Sequence, residues 1–214
     1  MQAALDLSNT QTGVLATANF AGYVIVAVLS GFAASRYGPR RVIALSMAVD
    51  GLTMVATGFS NGFWGALAWR VLTGAGSGGS NVPVMALLPA WFAARRRGLA
   101  SGIAVSGSSL GLIVTGWVVP RILKANGGEG WRTAWWMLGA AVLVLGVVGW
   151  VLLRDRPEEK RLPPIGSPPI GLVPDSAPAQ ARPEHTPPAP DRKLVYRTRA
   201  IWHLALVYVA FGFS

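Results

Sequence analysis

Five long apolar stretches constrain the fold of this chain more than any other feature. Each has about 18–31 residues, and roughly 20 helical residues cross the hydrocarbon core of a bilayer. Backbone polar groups in lipid must be satisfied within the segment, which favours helices. The sequence therefore predicts an all-α integral membrane protein with five transmembrane helices, at about 12–34, 42–59, 63–93, 99–119 and 133–153. A sixth apolar stretch begins at 200–214.

Composition agrees with a membrane protein and excludes several other classes. The chain is 52% hydrophobic and 13% charged, which is too apolar for a soluble domain of this size. Its net charge is +10, but the basic residues form short clusters between apolar stretches, so we predict no nucleic-acid partner. The absence of cysteine excludes disulfides and thiolate sites. His185 and His203 have no ligand-spaced neighbours, so we predict no metal site and no cofactor.

The basic clusters predict the orientation in the membrane. Fifteen Lys and Arg residues fall on one side of the predicted bundle and three on the other. The crowded side should be cytoplasmic, because Lys and Arg resist translocation. We therefore predict a multi-pass protein of the bacterial inner (plasma) membrane. Met1 would then lie outside with nothing visible to carry it across, so we expect a preceding helix beyond this sequence.

Residues 154–199 differ in character from the rest of the chain. They contain eleven of the fifteen prolines and show little apolar periodicity. Such a segment cannot bury enough apolar surface to fold, so it predicts a disordered cytoplasmic linker. A proline-rich ligand for an aromatic groove is the alternative, and a plain spacer is favoured.

Two motifs carry a resemblance to a known family. The turn SGFAASRYGPRR keeps the spacing of a family signature, although Ser35 stands where an Asp is usual and Pro39 where a basic residue is usual. A second pattern, Arg-x-x-x-Gly-x-Gly, is met by Arg70, Gly74 and Gly76. With the loop ARRRGLASGI, these motifs make the chain similar to the major facilitator superfamily of secondary transporters.

The resemblance implies an architecture and several roles. The five stretches would be family helices 2–6, 154–199 would join two six-helix halves, and 200–214 would begin helix 7. The missing carboxy-terminal half would then be a partner, along with the lipid bilayer and a small-molecule substrate. The turn would form a conformational gate that contacts the partner half, through Gly31, Arg36, Gly38, Arg40 and Arg41. The alternative is that its arginines only anchor the topology.

Two formal charges lie inside the predicted spans, Asp50 and Arg70. A charge in the membrane is costly unless it is paired or hydrated, so each is a functional candidate. They lie ten residues before and after Ser60 in the intervening turn, which places them at matching depth in an antiparallel hairpin. We hypothesise that they interact directly or through water. Separate cavities or backbone carbonyl partners are the alternative.

Polar residues recur at helical spacing in several stretches. They predict a cavity lined by the first, third and fourth stretches, with a peripheral fifth stretch. Ordinary hydrogen bonding between helices is the alternative for each Ser and Thr. The substrate and cavity candidates are Arg70, Asp50, Asn19, Tyr23, Ser77, Asn81 and Ser108. Glycines that allow close helix approach are the packing candidates: Gly74, Gly76, Gly107 and Gly111.

These observations favour a secondary active transporter that moves a small solute by alternating access. An organic anion such as a monocarboxylate is the substrate class to which the resemblance points. Coupling to protons or another ion is open. A non-transporting remnant or scaffold protein is the alternative. No nucleophile, acid–base pair or metal constellation is visible, so we predict that the chain is no enzyme.

Overall fold

The computed structural model describes residues 1–2, 4–160, 162 and 165–166. Each predicted stretch corresponds to one helix, and the described residues contain no β-strand. The sixth apolar stretch, 200–214, and most of the predicted linker, 154–199, lie outside the described residues. The helices are α1 (Asn9–Tyr37), α2 (Pro39–Gly58), α3 (Phe63–Trp91), α4 (Arg97–Asn126) and α5 (Gly130–Leu152).

Three helical segments of the described chain are long and apolar enough to cross a membrane by length and composition. They are Asn9–Tyr37, Pro39–Gly58 and the continuous segment Ala94–Leu152, which contains α4 and α5. Helix α3 is not among them, because Gly, Ser and Asn residues at its centre lower its mean hydropathy. The segments support a multi-pass, all-helical membrane fold.

Local sequence determines where α1 ends and α2 begins. Ser8 and Gln11 form a capping box before α1, with Ser8 Oγ accepting from the Gln11 amide at 3.1 Å and Gln11 Oε1 accepting from the Ser8 amide at 2.9 Å. Helix α1 therefore begins three residues before its predicted start. At the other end, Gly38 adopts a φ of +88°, which favours glycine, and Pro39 occupies the first turn of α2.

Helix α3 lies between α1 and α2 and touches both through glycine. A Cβ added at Gly74 or Gly78 would clash with the α1 backbone at Asn19 or Tyr23. On its other side, a Cβ at Gly76 would lie 2.6–2.7 Å from backbone and Cβ atoms of Asp50. The three helices are thus in direct backbone contact, and the structure places Gly74 and Gly76 at these contacts.

Helix α5 packs against α2 at a second glycine crossing. A Cβ at Gly51 of α2 would lie 2.9 Å from the Gly139 carbonyl oxygen of α5. Helix α4 packs mainly against α5, and Ala100 is its one buried residue. Nothing in the described chain lies within 4 Å of a Cβ placed at Gly107 or Gly111. The packing role predicted for those two glycines therefore has no partner among the described residues and stays a prediction.

The first residues after α5, which belong to the predicted linker, include a short helix. Pro157–Lys160 form a short 3₁₀-helix, and the Pro157 side chain is fully buried. The Ile165 amide donates to the Trp91 carbonyl at 2.8 Å, and the Ala93 amide donates to the Ile165 carbonyl at 3.1 Å. This segment docks on the end of α3 through a few long-range contacts, which composition alone does not reveal.

We expect Gly22→Ala to destabilise the full-length protein by roughly 1–3 kcal/mol. The added methyl would overlap the Val71 carbonyl of α3, and a backbone cannot move aside as a flexible side chain can. Gly31→Ala at the same interface is the control, because its methyl would meet only Val82 Cγ1 at 3.7 Å. Thermal unfolding in detergent measures both, and equal stability of the two variants would contradict this packing.

Candidate functional site

Arg70 is a cation of α3 with few partners. Its Cζ lies 4.1 Å from the ring centre of Trp135 on α5, and its Nη2 donates to Thr73 Oγ1 at 3.2 Å. Its Nε is buried and has no hydrogen-bond partner in the described chain. The one ion pair among the described residues joins Arg132 to Glu129 elsewhere. The Arg70 guanidinium is therefore stacked on an aromatic ring. No carboxylate of the described chain lies within 4 Å of its nitrogens, although the Asp50 carboxylate is close enough to act on its charge.

Asp50 lies on α2 and contacts α3 at Gly76 and Ser77. Its Oδ2 accepts from Ser77 Oγ at 3.1 Å, whereas its Oδ1 is buried without a partner in the described chain. Its backbone touches Gly76, which is six residues beyond Arg70, or roughly 9 Å along the helix. The backbones of Asp50 and Arg70 are thus not at matching depth, because the Gly76 contact and not the midpoint of the turn fixes the register of α2 on α3. No ion pair within 4 Å joins them in the described chain, but each side chain lies near enough to act on the charge of the other, and an interaction through water stays a prediction.

Two threonines lie between the charged residues. Thr53 Oγ1 of α2 lies 2.9 Å from Thr73 Oγ1 of α3, and either hydroxyl could donate. Thr53 Oγ1 also lies 3.0 Å from the Asp50 carbonyl oxygen, and Thr73 Oγ1 accepts from Arg70. Sequence reasoning missed Thr73 and Trp135. Thr73 follows Arg70 by three residues, a spacing that could have indicated it, but no sequence signal pointed to Trp135.

The other cavity candidates divide into two groups. Asn19 of α1 donates from Nδ2 to the Arg70 carbonyl oxygen at 2.9 Å, and Tyr23 stacks on Phe20 with ring centres 6.0 Å apart. Asn81 and Ser108 are exposed, and no hydrogen bond joins them to the other candidates within the described chain. The structure therefore brings Arg70, Asp50, Asn19 and Ser77 together around α3, but not Asn81 and Ser108.

The predicted gate residues occupy different environments. Gly31 faces α3, and Gly38 ends α1. Arg36 and Arg41 are exposed. Arg40 instead donates from Nε and Nη2 to the Trp150 carbonyl oxygen of α5, at 2.9 and 2.7 Å. Contacts of this turn with a second half stay a prediction.

The sequence profile of the Major Facilitator Superfamily matches residues 1–214. The chain belongs to this superfamily. The predicted family and the predicted membrane class are thereby confirmed, and membership agrees with the expectation that the chain is no enzyme.

Curated relatives from bacteria align with about three quarters of the chain. It is 31% identical to the probable sulfoacetate transporter SauU of Cupriavidus necator, over 72% of this chain. It is 29% identical to the hexuronate transporter of Bacillus subtilis over 72%, and 27% identical to the membrane sensor protein UhpC of Escherichia coli over 75%. The chain spans only 35–36% of the length of these three relatives.

We expect the Thr53 and Thr73 hydroxyls to be energetically coupled. Valine at each position removes the hydroxyl at similar size, and a double-mutant cycle on unfolding in detergent should give about 0.6 kcal/mol, up to about 1.7. The control cycle pairs Thr73→Val with Thr57→Val, because the Thr57 hydroxyl donates to the Thr53 carbonyl of its own helix. Coupling equal to that of the control would refute the 2.9 Å contact.

Proposed function

We propose that the full-length protein is a secondary active transporter that moves a small organic anion across the inner membrane by alternating access. In this proposal the chain supplies most of the amino-terminal half, as family helices 2–6, and each of α1–α5 crosses the bilayer. A carboxy-terminal half would complete the pathway. Membership of the superfamily and the names of two relatives, transporters of sulfoacetate and of hexuronate, support the proposal.

One observation carries the substrate class: Arg70 holds a half-buried positive charge, and no carboxylate of the described chain lies within 4 Å of its nitrogens. A charge inside a membrane span costs several kcal/mol unless it is paired or hydrated. The face of Trp135 and one threonine hydroxyl supply only part of the required compensation. An anionic group of the substrate would supply the rest on arrival.

The guanidinium group suits a carboxylate or a sulfonate in particular. Its planar fork offers parallel N–H donors that match two oxygens of such a group. Stacking on Trp135 fixes the plane of the fork, so the donors are already oriented before an anion binds. Asn19 holds α1 to the backbone of α3 at the same residue, which keeps the position of Arg70 fixed.

We assign to Asp50 the binding of the coupling ion. Its backbone meets α3 at Gly76, six residues beyond Arg70, and its carboxylate keeps one oxygen without a partner in the described chain. A proton and another cation are the two ions to distinguish.

We expect Asp50→Asn to abolish the response of uptake to an imposed ion gradient, measured with proton and sodium gradients in turn. Unchanged responses would remove Asp50 from coupling.

A sensor that binds an anion without moving it is the second candidate function. The similarity to a membrane sensor protein of Escherichia coli favours this reading specifically. A sensor would bind the anion at Arg70 but accumulate none in vesicles. The same site geometry serves both functions, so transport and binding have to be measured separately.

We expect Arg70→Gln in the full-length protein to lower uptake of the anion at least tenfold. Reconstituted vesicles with sulfoacetate and a hexuronate as probes measure uptake, and calorimetry measures binding. Arg121→Gln is the matched control, because the Arg121 guanidinium also lies over a tryptophan, 3.5 Å from the Trp117 ring centre, but is exposed. Unchanged uptake in Arg70→Gln would overturn the proposed site, and binding without uptake would favour the sensor.

A further inference from the structure

Helices α2 and α5 are antiparallel and are joined at both ends by an arginine. An arginine in the first turn of each helix donates to a carbonyl oxygen near the end of the other. Arg40 of α2 reaches Trp150 of α5, and Arg132 of α5 reaches Gly58 of α2. The two helices therefore exchange the same contact at opposite ends.

The inner contact, at the start of α2, has three parts. Arg40 Nε and Nη2 both donate to the Trp150 carbonyl oxygen. The Arg40 Cζ lies 4.2 Å from the centre of the Trp150 ring. The Arg40 amide donates to Asp155 Oδ1 at 2.6 Å. We call this set of contacts the inner clasp.

The outer contact, at the start of α5, repeats this pattern. Arg132 Nη1 donates to the Gly58 carbonyl oxygen at 2.8 Å, and Nη2 donates to Asn61 Oδ1 at 3.0 Å. The Arg132 Cζ lies 4.6 Å from the Trp131 ring centre, and its Nε pairs with Glu129 Oε2 at 2.7 Å. We call this set of contacts the outer clasp.

In each clasp, the two residues that are joined lie equally far in sequence from the glycine crossing of the two helices. Arg40 and Trp150 each lie eleven residues from the Gly51–Gly139 contact, and Gly58 and Arg132 each lie seven residues from it. A slip of one residue between the helices would break both clasps together. The clasps and the glycine contact therefore specify a single register.

The chemistry of helix ends explains why arginine suits these positions. The last carbonyl groups of a helix have no partner within it, and a cation near them is stabilised by the helix dipole. The Gly149 carbonyl at the end of α5 accepts from the Leu153 amide, and the Ala56 and Thr57 carbonyls at the end of α2 accept from the following turn. Arg40 and Arg132 satisfy carbonyls that these bonds leave open.

Asp155 acts on α2 from outside that helix. The residue before α2 is Gly38, which has no side chain with which to cap it. Asp155 Oδ1 accepts from an amide of the first turn, as the side chain of an ordinary capping residue would. A Cβ at Gly38 would lie against the Asp155 carboxylate, so the glycine also leaves room for this cap.

We propose that Arg40 and Arg132 are paired clasps that hold α2 and α5 as one rigid unit, with Asp155 as the positioning residue that completes the inner clasp. Arg40 is thereby committed within this half of the protein. Among the arginines of the Ser30–Arg41 turn, Arg36 and Arg41 are exposed and available to a second half. The predicted gate would then depend on those two and not on Arg40.

Thermal unfolding of the full-length protein in detergent tests the clasps without any transport assay. We expect Arg40→Ala and Arg132→Ala each to lower the midpoint by about 2 °C or more, because each leaves a helix carbonyl without its partner. Arg41→Ala is the matched control, being the next residue of the same turn with an exposed side chain, and should leave the midpoint unchanged. Equal midpoints for Arg40→Ala and Arg41→Ala would overturn the proposal.

Variants of Asp155 distinguish a helix-capping role of this residue from a requirement for its negative charge. Asparagine caps helices as well as aspartate does, so Asp155→Asn should keep the midpoint and Asp155→Ala should lower it. Loss of stability in both variants would show that the charge is required, and no loss in either would remove Asp155 from the clasp.

If Arg40→Ala does not fold, hydrogen exchange of the unmutated protein decides: the Arg40 amide should be as protected as amides at the centre of α2, and rapid exchange there would overturn the clasp.

Discussion

Backbone contact through the glycines of α3 is the constraint on which the described bundle depends. Gly74 and Gly78 admit the backbone of α1, and Gly76 admits the backbone of α2. The residues admitted there are Asn19, Tyr23 and Asp50, all of them candidates for the site. A side chain whose own backbone contacts α3 lies close to the polar groups of that helix. Asn19 therefore reaches the Arg70 carbonyl, and Asp50 reaches Ser77.

The glycines and prolines of α3 lower its intrinsic helix stability, and the membrane environment compensates for this loss. Each glycine in a helix interior is about 1 kcal/mol less favourable than alanine, and α3 also contains Pro83 and Pro89. The helix nevertheless runs unbroken from Phe63 to Trp91. In lipid the backbone has no water with which to bond, so leaving the helix is far more expensive than tolerating glycine, and close packing rewards the small residues.

Hydropathy and charge predicted the five helices, and the motifs predicted the superfamily, because these features are local in sequence. The register between two packed helices depends on residues that are distant in sequence. The midpoint of the turn placed Asp50 beside Arg70, whereas a glycine contact sets Asp50 against Gly76. The roles of Trp135, Trp150 and Asp155 depend on contacts made across the bundle, and no spacing in the sequence indicates which distant carbonyl an arginine will find. The contacts of Ile165 with Trp91 and Ala93 likewise join residues distant in sequence.

Anion binding at this site would depend on the helix contacts and on the charge of Arg70. Glycine brings three helices into contact, and Arg70 is held between Trp135 and Thr73 with no carboxylate of the described chain within 4 Å of its nitrogens. An experimental density map of the full-length protein with bound sulfoacetate or hexuronate tests this most directly. We expect backbone contact at Gly74 and Gly76, with the acidic group of the anion on the Arg70 guanidinium. Helices separated at those glycines, or Arg70 paired with a carboxylate of the protein and the anion bound elsewhere, would contradict it.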